Sequence, residues 1–213
     1  MNICLQNVCP IPLKEQDLAP TSVWKTDCNF DSPEYVLIEA TSGRGKTTFI
    51  SCLYGIRTDY EGQIAFDNKK IRTNNLKQWS QLRQTAVSIV FQDLRLFPDL
   101  TARENLQLKQ KLTQTVNNDE ILSMAELLEV DHKLDQKVRF LSLGQQQRFA
   151  IIRALTQPFK WLLLDEPFSH LDTKNTAKAI TLIDNCCKKN DAGLFLTSLN
   201  EDHSLPFSRT IMI

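Results

Sequence analysis

Three short runs in this chain bring together residue types that handle phosphate. Gly43-Arg44-Gly45-Lys46-Thr47-Thr48 follows an apolar stretch and precedes a helical pattern. A strand that feeds a glycine-rich turn and then a helix aims backbone N–H groups and a helix N-terminus at one spot. Glycines let the backbone approach a phosphate, a lysine adds a point charge, and a hydroxyl can ligate magnesium. Read as Gly-x-x-x-x-Gly-Lys-Ser/Thr the motif is incomplete, because Ala40 holds the first glycine position. A bare Gly-Lys-Ser/Thr arises by chance in roughly one chain in ten of this length, so alone it decides nothing.

The second run is Trp161-Leu162-Leu163-Leu164-Asp165-Glu166. Four apolar residues bury a strand, and its end presents two acids where open α/β sheets place their ligands. One acid can orient a magnesium shell and the next can activate water. An ordinary strand with an acidic turn has the same pattern. The third run is Leu141-Ser142-Leu143-Gly144-Gln145. Ser142 and Gln145 form a capping box, and Gly144 lets a phosphate come close to the helix start.

Elements that position these runs follow from periodicity. Strands are predicted at 36–40, 64–66, 87–91, 161–164, 194–196 and 209–213. Helices are predicted at 47–55, from the Thr101/Glu104 capping box through Leu108, at 119–129, from Ser142 to about 155, and at 173–189. Alternating strands and helices argue for an α/β core, and the polar, helix-rich stretch 93–140 for an insertion in it.

Composition narrows the partners. Lys plus Arg equals Asp plus Glu, 25 each among 213 residues, so no overall basic field invites nucleic acid. No apolar run has the length of a membrane span, and residues 1–10 show no secretory signal. The six cysteines form no Cys-x-x-Cys pair and are expected to be reduced and buried, without a metal.

In order and spacing these pieces resemble the ATP-binding cassette (ABC) family over essentially the whole chain. Residues 40–48 resemble its phosphate-binding loop, and Gln92 after Val90-Phe91 its Q-loop. Residues 141–145 match its signature apart from Leu143, which replaces a glycine. Asp165-Glu166-Pro167 with Ser169-His170-Leu171-Asp172 resembles Walker B plus D-loop. Glu61-Gly62-Gln63-Ile64 and the run from Leu100-Thr101 to Leu106 also match family segments.

The resemblance implies a P-loop NTPase fold of the ABC type: a mainly parallel core sheet, a small antiparallel β region and a helical subdomain. It implies one nucleotide-binding domain over 1–213, with 1–92 and 141–213 as the core and 93–140 as the subdomain. Thr41, Ser42, Gly43, Arg44, Gly45, Lys46, Thr47 and Thr48 would cradle the phosphates of ATP. Thr47 and Gln92 would ligate Mg2+, and Asp165 would hold it through water. Glu166 would be the general base, with Gln92 and Ser198 beside it. Ser142, Gly144 and Gln145 would contact ATP bound to a second ABC domain, expected to be another copy of the chain. Asp172 would communicate between the two sites. An integral membrane permease would be the further partner, with the protein cytoplasmic and peripheral on the membrane.

Leu96 and Phe97 are either core or the place where a membrane subunit docks. The run Phe91-Gln92-Asp93-Leu94-Arg95-Leu96 with Pro98 resembles the subgroup serving lipoprotein release, macrolide export and cell division. Three departures stand out. Ala40 replaces a glycine. Ser198 stands where the family places a switch histidine, which allows slow hydrolysis or a nucleotide-gated clamp, and His203 is five residues further on. No aromatic residue precedes Trp24, which is either core or a base-stacking platform. His132 and His170 are expected to be exposed and without a ligand. A soluble, non-transport ATPase is the remaining alternative, and the cassette is expected to be minimal, ending on its last strand.

Overall fold

Val36, Leu37 and Ile38 are buried, as are Leu162, Leu163 and Leu164, so neither face of these strands meets water. That is the signature of a parallel sheet covered on both sides. The computed structural model describes residues 1–15, 22–39, 45–71, 75–198 and 205–213. In it β3 (Tyr35–Glu39), β6 (Val87–Val90), β7 (Trp161–Asp165), β8 (Gly193–Ser198) and β9 (Arg209–Met212) form one sheet in the order β6-β7-β8-β3-β9. Every pairing in it is parallel.

The two-residue period of the strands sorts their side chains into two cores. Val36, Ile38, Ile89, Trp161, Leu163 and Phe195 face Phe49 and Ile50 of α1 (Lys46–Leu53) and the second sheet. Leu37, Val90, Leu162, Leu164, Leu194 and Leu196 face four other helices. These are α3 (Ala102–Thr113), α4 (Asn118–Leu127), α5 (Leu143–Leu155) and α6 (Thr173–Asn190). The second sheet, among the described residues, is antiparallel in every pairing, in the order β2-β1-β4-β5: β1 is Asn2–Pro10, β2 Cys28–Asp31, β4 Tyr60–Phe66 and β5 Lys69–Lys70. Asp67 and Asn68, both left-handed, turn β4 into β5, as a two-residue hairpin requires.

The predicted helices and strands appear with ends shifted by a few residues. Thr101 and Ser142 cap α3 and α5 with full capping boxes. The sequence pattern does not predict β1, β2, β5 or α2 (Leu76–Thr85). Of α2 only Trp79 is buried, so its apolar stripe is too thin to show periodicity. The stretch 93–140 carries α3, α4 and two single-turn 3-10 helices.

Candidate functional site

The carboxyl ends of β6 and β7 and the N-terminus of α1 meet at one place, where the chemistry-bearing residues collect. Lys46 opens α1 and is 6% exposed. Its Nζ lies 3.9 Å from Glu166 Oε1, just past β7. Gln92, two residues after β6, donates from Nε2 to Glu166 Oε2 at 3.3 Å. Thr47 donates to Gln92 Oε1 at 3.3 Å. A continuous circuit of Lys46, Glu166, Gln92 and Thr47 results, with Asp165 beneath it.

Asp165 is 3% exposed, and burial raises its carboxyl above the usual range, opposed by hydrogen bonds from Thr197 and Thr47 and by the Lys46 charge. Thr197 Oγ1 donates to Asp165 Oδ1 at 2.9 Å and accepts the Glu166 N–H at 3.0 Å. One hydroxyl thus ties both acids to β8. Sequence reasoning passed over Thr197; its parallel register opposite Asp165 is the feature that puts it there. Ser198 follows it, buried at the end of β8.

The N-terminus of α1 differs from those of the longer helices. Asn75, Thr101, Asn117, Ser142 and Asp172 each cap their helices with a side chain. Gly45 caps α1 with none, at φ 111°, and no acid lies in the first turn. A Cβ at Gly45 would also press on Ile213 and Leu13 at 3.3 and 3.4 Å. An uncapped helix start beside a buried lysine fits an anion such as a nucleotide phosphate. Thr47, Gln92 and Asp165 form an all-oxygen donor set of the kind Mg2+ takes alongside phosphates. Among the described residues no group of three or more His, Cys, Asp or Glu could hold a metal ion.

The fold is also found in solved proteins. The dimeric structure of a bacterial ABC transporter cassette superposes with a TM-score of 0.78 at 27% identity, over 92% of this chain and 87% of that one. The family model for the ABC transporter matches residues 25–169. The chain belongs to the ABC transporter family. A second cassette structure, in a post-hydrolysis state bound to ADP and Pi, superposes with a TM-score of 0.77 at 27% identity, over 93% of this cassette and 88% of that chain. The glucose import ATP-binding protein of Saccharolobus solfataricus is 33% identical over 86% of this cassette and 52% of its own length. The tyrosine transport ATP-binding protein of Clostridioides difficile is 33% identical over 87% of the cassette and 77% of its own length. The chain therefore spans about half the first relative's length and about three quarters of the second's.

The other expected residues fall in separate places. Ser142 caps α5 and bonds with Gln145 in its own turn, at 3.3 and 3.0 Å. A Cβ on Gly144 would come within 2.8 Å of the His170 carbonyl oxygen, so this cassette needs glycine there. Asp172 caps α6 through the Asn175 N–H at 2.8 Å. Thr48 lies on α1, where Arg57 reaches it at 3.5 Å. Ala40, Thr41, Ser42, Gly43, Arg44 and His203 lie outside the described residues. Trp24 is core, 2% exposed and edge-on to Phe49, so it offers no face to a base. His132 and His170 are exposed. Leu96 packs on the core, whereas Phe97 is 55% exposed and lines a cavity of about 190 Å³ with Phe91, Leu108, Lys109 and Arg153. Leu96 thus takes the core branch of that alternative, while Phe97 stays outside the core.

Proposed function

We propose that this cassette is the ATP-binding and ATP-hydrolysing subunit of a membrane transport system. The circuit of Lys46, Glu166, Gln92 and Thr47 carries the reading. Lys46 and the open N-terminus of α1 bind the β- and γ-phosphates. Thr47 and Gln92 would hold Mg2+, with Asp165 acting through water, and the bound ion would supply charge neutralisation for the phosphates. Glu166 accepts the proton of the attacking water, and Gln92, already hydrogen-bonded to Glu166, orients that water. Residues 1–92 and 141–213 act as the nucleotide core and 93–140 as the helical subdomain.

Two copies pair head to tail, with ATP between the α1 turn of one and the Ser142–Gln145 turn of the other. Dimeric structures of similar cassettes support this arrangement. The Phe97 groove receives a membrane permease, which holds the protein at the cytoplasmic face. No helix of the described residues is long and apolar enough to cross a membrane, so the translocation path belongs to that partner.

Glu166→Gln is the test. Steady-state hydrolysis is expected to fall by about 100-fold or more, while ATP binding persists and an ATP-dependent dimer accumulates on size exclusion. Unchanged hydrolysis in the variant would remove Glu166 from the reaction. A wild type that binds ATP, closes and turns over negligibly even with its membrane partner would favour the clamp reading, for which Ser198 is the reason.

A further inference from the structure

Helix α5 begins with the turn that this reading places on the second copy's nucleotide, and one turn later it carries a polar side chain with no exposure to solvent. Gln147 is 0% exposed. Its Oε1 accepts the His170 N–H at 2.8 Å. Its Nε2 donates to the Glu166 carbonyl at 3.2 Å and to Ser169 Oγ at 3.4 Å. All three partners lie in the loop that leaves β7. A buried amide with both ends satisfied fixes its partners, because a lost bond there leaves a group without water to replace it.

The loop needs fixing. Glu166 sits at φ 46°, a left-handed conformation that a side-chain-bearing residue keeps only when its surroundings impose it. Thr197 restrains its N–H from β8, and Gln147 restrains its carbonyl from α5. The same helix also touches the loop at its first turn, where Gly144 lies under the His170 carbonyl with no room for a Cβ. Gln147 and Gly144 thus clasp His170 from two positions on one helix.

We infer that Gln147 is a positioning residue that joins the two nucleotide sites of the dimer. A nucleotide seated on the Ser142–Gly144 turn sets the position of α5. Gln147 carries that position to the Glu166 carbonyl, and so sets the aim of the general base in its own subunit. Hydrolysis in one site then depends on occupancy of the other through a buried side chain that touches neither nucleotide. The inference rests on the proposed ATPase reading.

Gln147→Met keeps the volume and removes all three bonds. The expected result is a fall in kcat of about 10- to 100-fold, the cost of misplacing a catalytic group by about an ångström. KM for ATP is expected within about two-fold, since the phosphate-binding groups are untouched. Hydrogen exchange supplies a readout independent of turnover. ATP should protect the amides of Glu166, Ser169, His170 and Leu171 in the Glu166→Gln protein. That protection should be lost when Gln147→Met is added, while β7 stays protected and the ATP-dependent dimer still forms.

Wild-type kcat and wild-type loop protection in Gln147→Met would overturn the inference. So would a loss of protection that spreads into β7 with a rise in KM, the mark of a purely structural role. If Gln147→Met does not fold, Gln147→Glu carries the same readings, because it keeps the acceptor for His170 and removes the amide donor to Glu166. A wild type that does not hydrolyse ATP would instead defeat the reading beneath the inference.

Discussion

Two loops leave neighbouring strands of the parallel sheet, and both are held in left-handed conformations by side chains of α5. After β7, Glu166 is held by the neutral amide of Gln147. After β6, Leu94 and Arg95 sit at φ 57° and 47°. Their carbonyls accept from the Arg153 guanidinium at 2.6 and 2.5 Å. The first clasp is uncharged and sealed. The second is charged and lines the groove where Phe97 is exposed. Burial pulls Arg153 down to about 10, so its charge is kept at a cost that a neutral clasp avoids. Charge is tolerated in the clasp beside the exposed groove, and a neutral amide serves as the clasp on the proposed base.

Breaking the charged clasp should produce the largest loss of stability. Arg153→Met leaves two carbonyl contacts unmade, that of Leu94 part-buried, and two left-handed residues unsupported. A loss of about 2–3 kcal/mol is expected from the urea midpoint. Adding Arg95→Gly to that variant should return up to about 1 kcal/mol, because glycine adopts this backbone conformation without strain. A double variant no more stable than Arg153→Met would show that the left-handed turn carries little strain.

The groove sharpens the contrast through pH. Lys109 lies in it, donating to Gln157, and burial, then Arg153 and Arg83, pull it down to about 8. Its pKa in the folded protein lies below that in the unfolded chain, so the unfolded chain binds more protons between about pH 8 and pH 10. Stability should therefore rise with pH across that window, by on the order of 1–2 kcal/mol, with the cost fully present below pH 8. Lys109→Met should flatten the rise, read from urea midpoints at about pH 7 and about pH 9.5. An identical slope in the variant would assign the rise to another group.

How far the sequence disclosed this molecule depends on which groups do the work. The parallel strands were legible because burial on both faces writes continuous apolar runs, as in Leu162-Leu163-Leu164. Lys46, Thr47, Gln92, Asp165 and Glu166 were legible because their side chains carry the chemistry, and the structure brings these five together. Gln147, Arg153 and Thr197 were not. Gln147 and Arg153 act on backbone carbonyls whose left-handed conformation no residue type announces, and Thr197 depends on strand register. The family resemblance implied the antiparallel sheet, but the pattern showed only part of β4, and β1, β2 and β5 were hidden for another reason. Strand β1 alternates poorly and shifts register between Gln6 and Cys9, which breaks the period-two pattern.

The smallest predicted effect concerns Ser198, and it tests whether the sealed loop is already complete. Thr197 faces Asp165 and the Glu166 N–H, and strand alternation turns Ser198 to the other side of the sheet end. A histidine there would add a positive or hydrogen-bonding group near the site without altering the contacts that hold Glu166. Ser198→His should therefore raise kcat by only a few-fold, equivalent to about 1 kcal/mol or less, with KM unchanged. A gain of about 100-fold would mean that wild-type turnover is limited by the missing imidazole, which is the clamp reading. No gain would mean that the Thr197 and Gln147 contacts on Glu166 leave little for a residue at position 198 to supply.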